Sequence, residues 1–520
     1  MQINKIFNYN FTQKTLFKPF AYLLSFLLGS VTVFSYSPYD HWFIIPITFV
    51  LMLFINENQT NKQYALAWFS YLLGKLFFGC NWLSLGMIHF TPLNNIESYF
   101  VMLLICFICS LMHLFFGYLL GFISSVKQSA RVRAIVFPAL WCVFEYFRFF
   151  LYSGYPWLLE GYSLVGSVFY GLAPFIGAFG MTFIVCSMGS ALYSLLKRDY
   201  VVFGSFSVVI ALSLFISNFS SDYSYTQGHI RVATLQANIP QEYKWITSFR
   251  DTIFTKYDRM FDIALNKDSK IVILPETAFP LKIKYSDLPP RIKRINDNFV
   301  EHDATLITGM INYSDNKDFH YNSIGVLGND YRKGVNFYTK RHLLPFGEYT
   351  PFSDLLKITG IKFSSFTSDE SVGSSILSVQ NNNILPIICF EIAFANEILD
   401  RFKDDVDILL HSTNDTWFLD SIGPKQHIQV AQMRAAEFGR PLLRSNNNGY
   451  TAFIDYKGNI VKQSPFGKSH VMYSDIPLSK RRTFFSLYGH KPTLFLCLII
   501  IAFAFLYKRN LNKKKIITIH

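Results

Sequence analysis

A thiol, a carboxylate and an ammonium stand at the ends of three short apolar runs: Cys389 closes ILPIIC, Glu276 closes KIVILPE and Lys340 closes VNFYTK. Apolar runs of this length rich in β-branched residues read as buried strands, and a polar group placed where such a strand stops is exposed at the edge of a sheet. The set suits acyl transfer. A free thiol with a pKa of about 8.5 is mostly protonated at neutral pH, so a base or a nearby cation must assist its attack. Glu276 would take that proton and return it to a leaving group. Lys340 would stabilise the thiolate and the tetrahedral oxyanion. Taken singly, each has an ordinary explanation: free cysteines are usually packing residues, and strand-end Glu and Lys usually face water. Three complementary groups at three strand ends of one domain are harder to explain that way. A serine hydrolase is disfavoured, because the chain has no G-x-S-x-G elbow.

The elements that must position this set belong to a membrane protein. Of 520 residues, 51% are hydrophobic, 18% aromatic and only 16% charged, too apolar for a soluble chain. Eight stretches approach the roughly 20 apolar residues a bilayer core requires: 17–36, 41–56, 64–84, 98–123, 134–152, 170–196, 200–217 and 492–507. The first is too long for a signal peptide and has no small-residue cleavage site after it. Of the seven cysteines, all but Cys389 lie in or beside these stretches. Cys389 therefore has no partner for an intramolecular disulfide outside the membrane.

Charge placement sets an expected topology. Lys and Arg gather at residues 5–18, 62, 127–133, 197–198 and 508–515, whereas the connections 37–40, 85–97 and 153–169 contain none. Basic residues accumulate in cytoplasmic loops, so both termini are expected in the cytoplasm and the long segment between the last two stretches on the other side. This accounts for most of the formal charge of +13 and disfavours a nucleic-acid surface. The expected domains are a seven-helix bundle over 1–217, an outward catalytic domain over 218–491, and a last membrane helix with a basic tail over 492–520. Lys75, Glu145, Arg148 and Glu160 fall within or near the apolar part, where ionisable groups are functional candidates. Glu145 and Arg148, three apart on a helix, also suit a simple ion pair.

In the outward segment short β-branched runs alternate with amphipathic ones. Strands are expected at 231–239, 270–276, 304–312, 322–328, 384–391, 407–414 and 442–447, and helices at 248–267, 288–301, 391–402 and 424–439. The alternation implies layered α/β packing, and Gly423-Pro424 suits a helix start.

Longer motifs carry a resemblance. PALWCVFEYFR (138–148), GYPWLLEGYS (154–163), LQANIPQEYKW (235–245), LPETAFP (274–280), YTKRHLLPFGEYTPF (338–352), ICFE (388–391) and the run from Asn414 to Gly449 resemble, in order, those of the apolipoprotein N-acyltransferases, membrane members of the nitrilase (carbon-nitrogen hydrolase) superfamily. The resemblance implies a nitrilase-like αββα sandwich beside about eight transmembrane helices. It puts the family triad on Glu276, Lys340 and Cys389, and supporting roles on Trp245, Glu348, Phe390 and Glu391. Phe390 departs from the tyrosine common in the family. The implied reaction takes an acyl chain from a phospholipid as a Cys389 thioester and passes it to the α-amine of a diacylglyceryl-cysteine apolipoprotein, at the periplasmic face of a bacterial inner membrane. Trp245, Trp417, Phe418 and the segment from Ile361 to Phe366 are candidate lids, with core packing as the other explanation for the tryptophans. Glu348 and Glu391 could orient Lys340 or brace a loop. No cofactor or metal is expected, since the twelve histidines offer no i, i+4 pair. A membrane-anchored amidase using water, and a transporter or binding protein with an outer domain, are the competing readings.

Overall fold

The computed structural model describes residues 17–125, 129–220, 228–314, 319–331, 336–349, 366–480 and 482–517. Lys5, Lys14 and Lys127, and the candidate lid segment up to residue 365, lie outside these. The chain divides into two units, one of Met1–Leu172, Ile176–Ser220 and His490–His520, the other of Ala173–Phe175 and Ser221–Gly489.

The first unit is helical: α1 (Phe17–Val31), α2 (Ile44–Ile55), α3 (Asn61–Gly79), α4 (Trp82–Phe90), α5 (Asn95–Ser110), α6 (Met112–Ser124), α7 (Ser129–Phe147), α8 (Ala173–Leu196, from Ile176 on), α9 (Tyr200–Ser220) and a C-terminal helix, Lys491–Ile517. Among the described residues, four spans are long and apolar enough to cross a membrane: Asn95–Ser124, Tyr170–Leu196, Tyr200–Phe219 and Lys491–Asn510. A fifth is α3 with α4, bent by 50°, and the apolar helices Pro19–Ser35 and Ile44–Ile55 are shorter. α7 covers most of the stretch expected at 134–152, but it contains Pro138 and carries Arg131, Arg133 and Glu145. The sequence starts two helices with local chemistry: Thr60 with Gln63, and Asn94 with Glu97, each exchange side-chain and backbone hydrogen bonds across the first turn, which satisfies donors the helix leaves open. Glycines let helices touch. A Cβ on Gly29 of α1 would lie 1.8 Å from the Tyr71 carbonyl oxygen of α3, and one on Gly74 would lie 2.0 Å from that of Phe26, an approach typical of packing in lipid. The intramembrane charges pair with one another. Lys75 is bonded to Glu160, Arg148 Nη1 lies 3.9 Å from Glu145 Oε1, and Glu145 also accepts from Thr182 and from the Glu160 backbone N–H.

The second unit is a two-sheet sandwich between helices. One sheet orders β13 (His470–Pro477), β1 (His229–Gln236), β2 (Ile271–Ile273), β4 (Thr305–Tyr313), β5 (His320–Gly328) and β6 (Phe337–Thr339), with β3 (Lys282–Ile283) paired on β4. The other orders β12 (Ile460–Gln463), β11 (Ala452–Ile454), β10 (Leu442–Asn446), β9 (Ile408–Thr413), β8 (Asn382–Ile388) and β7 (Leu377–Val379). Val232, Ile273, Ile307, Ile324 and Tyr338 from the first sheet interleave with Ile384, Ile388, Leu410, Leu443 and Phe453 from the second. That apolar layer joins the two sheets face to face. On the outer face of the first sheet, Phe254, Tyr257 and Phe261 of α11 (Arg250–Leu265) and Ile292 and Phe299 of α12 (Pro290–Glu301) pack over Leu235, Val272 and Leu306; a short helix, α10 (Gln241–Lys244), precedes them. The second sheet carries α13 (Ala395–Arg401) and α14 (Gly423–Phe438). α14 has its proline in the first turn and stops at Gly439, φ 62°, the left-handed cap that glycine adopts most easily. The expected strands all form, and the helix expected from 391 starts at Ala395 because residues 389–393 make a tight 3-10 turn.

Candidate active site

The three strand ends converge. β2 and β4 are parallel, as are β8 and β9, so their C-terminal ends lie on common edges. Glu276 lies three residues beyond β2, Lys340 directly follows β6, and Cys389 directly follows β8. Lys340 N–H donates to the Asn322 carbonyl at 2.8 Å, which fixes where its side chain leaves the sheet. Its ammonium, 2% exposed, donates to Glu348 Oε2 at 2.7 Å and stands 3.8 Å from Glu276 Oε1. Asn322 of β5 bridges the two acids: its Nδ2 donates to Glu276 Oε1 and to Glu348 Oε1, both at 2.7 Å. Glu348 also accepts the Leu344 N–H at 2.8 Å.

Cys389 is the turning point of the second sheet. Its φ of 52° is the left-handed region, which costs an L-residue of this kind about 1–2 kcal/mol. Several bonds hold the turn. Glu391, buried, accepts the Ile388 N–H at 2.7 Å through one oxygen. Its other oxygen accepts the Tyr338 hydroxyl at 2.7 Å and the backbone N–H groups of Arg341 and His342 at 2.8 and 3.2 Å. Glu391 thus braces the turn against the segment that carries Lys340. Behind the thiol, the Cys389 carbonyl faces His411 Nε2 at 3.0 Å and His427 Nε2 at 3.4 Å. Arg444 donates to His411 Nδ1 at 2.7 Å and to Asp415 Oδ2 at 2.5 Å. Because guanidinium only donates, His411 Nδ1 accepts, and its Nε2–H is left to donate to the Cys389 carbonyl.

Electrostatics follow from burial. Burial raises the Glu276 carboxyl, Glu348 adds to this, and Lys340, Asn322 and Lys244 oppose it. Burial, then Glu276, pushes the Cys389 thiol up, against the pull of Lys340. Lys340 is depressed by burial yet raised overall by Glu348, Cys389 and Glu276. At rest the site therefore holds a neutral thiol beside a fixed cation, and a carboxyl group of enhanced proton affinity.

Of the supporting residues, Glu348 binds Lys340 and Glu391 acts as the brace. Phe390 is buried against Phe394, centroids 5.2 Å apart. Trp245 and Trp417 are 45% and 47% exposed, so core packing does not explain them. Sequence reading missed Asn322, whose role depends on the pairing of β5 with β6, and His411, His427, Asp415 and Arg444, which meet only in the fold. It also passed over Lys244, which sits beside Trp245 in the YKW motif. Among the described residues no cluster of His, Cys, Asp and Glu could hold a metal ion.

Residues 28–191 match the family model described as apolipoprotein N-acyltransferase N-terminal domain, and residues 231–484 that of carbon-nitrogen hydrolase. The apolipoprotein N-acyltransferase of Shewanella oneidensis is 32% identical over 518 residues, covering 96% of this chain and 98% of the relative. The chain belongs to the apolipoprotein N-acyltransferase family. Another member, from Haemophilus influenzae, is 30% identical and covers 93% of this chain and 94% of its own. The crystal structure of Saccharomyces cerevisiae Nit3, of the nitrilase superfamily, covers 52% of this chain and 97% of its own at 13% identity and a TM-score of 0.39. As an apolipoprotein N-acyltransferase family member the chain is an acyltransferase enzyme with a carbon-nitrogen hydrolase domain, and the water-using amidase is not favoured.

Proposed function

We propose that Cys389, Glu276 and Lys340 transfer a fatty acyl chain from a phospholipid to the α-amine of a diacylglyceryl-cysteine that begins an apolipoprotein. The observation that carries this reading is the buried Lys340 ammonium, 2.7 Å from Glu348 and 3.8 Å from Glu276, with its charge coupled to the Cys389 thiol. In the first step Sγ attacks the ester carbonyl carbon as Glu276 takes the thiol proton. A neutral thiol requires the two events to run together. Lys340 stabilises the oxyanion; the C–O bond breaks, and Glu276 returns the proton to the leaving glycerol oxygen, releasing a lysophospholipid. In the second step the α-amine attacks the thioester. An α-amine has a pKa of about 7.7 to 8.0, so a sizeable fraction is neutral at pH 7, and Glu276 takes the proton released as the C–N bond forms. The C–S bond then breaks and the thiolate recovers the proton.

The same reading places the protein in a bacterial inner membrane, with eight crossings over 1–217 and 492–520, both termini cytoplasmic and residues 218–491 periplasmic. The basic clusters support the orientation. Exposed Leu23, Phe100, Phe215, Phe495 and Phe503 support lipid contact around the first unit.

The test is mass spectrometry of the purified full chain mixed with phospholipid. An acyl adduct on the Cys389 peptide is expected, and adding a diacylated lipopeptide should remove it with N-acylation of the peptide. A folded protein that stays unmodified overturns the thioester scheme, and loss of the adduct without N-acylation points to hydrolysis.

A further inference from the structure

Among the described residues, Lys244 is a buried cation whose ammonium meets no carboxylate. It ends α10 and is 2% exposed, whereas the next residue, Trp245, stands 45% exposed. Its ammonium donates to Thr277 Oγ1 at 2.8 Å and to the backbone carbonyl of Glu276 at 3.3 Å, both neutral oxygens. A buried ammonium costs several kcal/mol unless something compensates it, and a methionine would fill the same space without that cost. The charge it senses is that of Glu276, and Glu276 senses it in return. The turn it grips is strained, since Thr277 has φ 45°, a region unfavourable for a β-branched residue.

We propose that Lys244 is a positioning residue for Glu276: its ammonium pins the Glu276–Thr277 turn, and its charge helps keep the Glu276 carboxylate ionised to receive the Cys389 proton. This rests on Glu276 acting as the base. Among the described residues the charged and titratable groups facing Glu276 are Lys340, Glu348, Cys389 and Lys244. Lys340 is already neutralised by Glu348 at 2.7 Å. Lys244 is the remaining cation, held down at about 8 by burial against the attraction of Glu276, so it is charged at neutral pH. Removing a positive charge raises a carboxyl pKa. Loss of Lys244 must therefore move the pH at which Glu276 becomes a competent base upward.

The experiment is the pH dependence of acyl-adduct formation on Cys389 in the full chain, with dioleoyl phosphatidylethanolamine in detergent micelles. In Lys244→Met and Lys244→Gln the acidic limb is expected to move up by about one pH unit, with burst amplitude and lipid KM unchanged; Lys244→Arg should bring the limb back. Lys244→Gln keeps a donor for the Glu276 carbonyl, so it separates loss of charge from loss of fold. An unmoved limb in both neutral variants overturns the proposal, whether or not burst amplitude falls. If wild type has no acidic limb, or the limb survives in Glu276→Gln, the base assignment itself fails and this inference with it.

Discussion

Lys340 is bound more closely to Glu348, at 2.7 Å, than to Glu276, at 3.8 Å. The acid that neutralises the cation is therefore not the acid proposed to move the proton. Asn322 bridges the two acids by donating to both. Burial first, and the Glu348 charge after it, leave Glu276 with a raised proton affinity, while Lys340 stays charged and fixed.

Glu348→Gln tests that division. Without the Glu348 charge, Lys340 is free to pair with Glu276, which lowers the proton affinity of the base. Adduct formation on Cys389 should slow by about 100-fold, in the range for loss of a general-base contribution, with lipid KM nearly unchanged. Pre-steady-state mass spectrometry of the Cys389 peptide reads both. A variant as fast as wild type would show that Glu348 has no part in orienting Lys340.

The pH behaviour of the thiol has a definite sign. Burial first and Glu276 second push Cys389 up, so at neutral pH it is a thiol, and alkylation by iodoacetamide should be slow at pH 7 and climb through pH 9. Glu276→Gln removes the negative neighbour, lowers the thiol pKa and should speed alkylation at pH 8 by several-fold, while it abolishes acylation. Lys340→Met should slow alkylation. Opposite trends in alkylation and acylation separate the charge on the thiol from the proton transfer. If Glu276→Gln slowed both, the coupling would be wrong.

Sequence showed the strand ends because composition marks where an apolar run stops. ILPIIC, KIVILPE and VNFYTK each end on the group that the fold brings into the site. What it could not show depends on pairing between distant segments. Asn322 reaches Glu276 because β5 pairs with β4, which pairs with β2, and lies beside the Lys340 segment because β5 pairs with β6, Ser323 opposite Thr339; no local pattern encodes those registers. The clamp on the Cys389 carbonyl joins residues 411, 427 and 444 from three elements. Lys244 carried no signal in the sequence, since only the fold buries it between the exposed Tyr243 and Trp245. The strained φ at Cys389 also had no signal, since cysteine has no special preference for left-handed backbone.

Trp245 and Trp417 lie on the surface of their unit, so truncating them should spare stability and affect substrate handling. Trp245→Ala and Trp417→Ala are each expected to change the unfolding free energy by less than about 0.5 kcal/mol, as for surface sites, and to raise KM for phospholipid several-fold. Thermal unfolding and initial rates across lipid concentration in the same detergent measure the two. A large loss of stability would return these residues to core packing.

Glu391 is predicted to act through structure alone. Its carboxylate accepts from Ile388, Tyr338, Arg341 and His342, tying the Cys389 turn to the segment after β6. Glu391→Ala strands two buried donors, of Ile388 and Tyr338, and two partly buried ones, of Arg341 and His342, each at about 1–3 kcal/mol, and partial repair by water leaves an expected loss of about 3–5 kcal/mol. Glu391→Gln keeps acceptor capacity at one oxygen but turns an NH2 toward a donor, so its loss should fall between wild type and Glu391→Ala. Because Glu391 does not touch the reacting atoms, the acidic limb of the pH profile should stay in place in Glu391→Gln while the rate drops and the melting temperature falls. A limb that moved with the substitution would mean that Glu391 also acts on the charge of Glu276, and the brace would then be only part of its role.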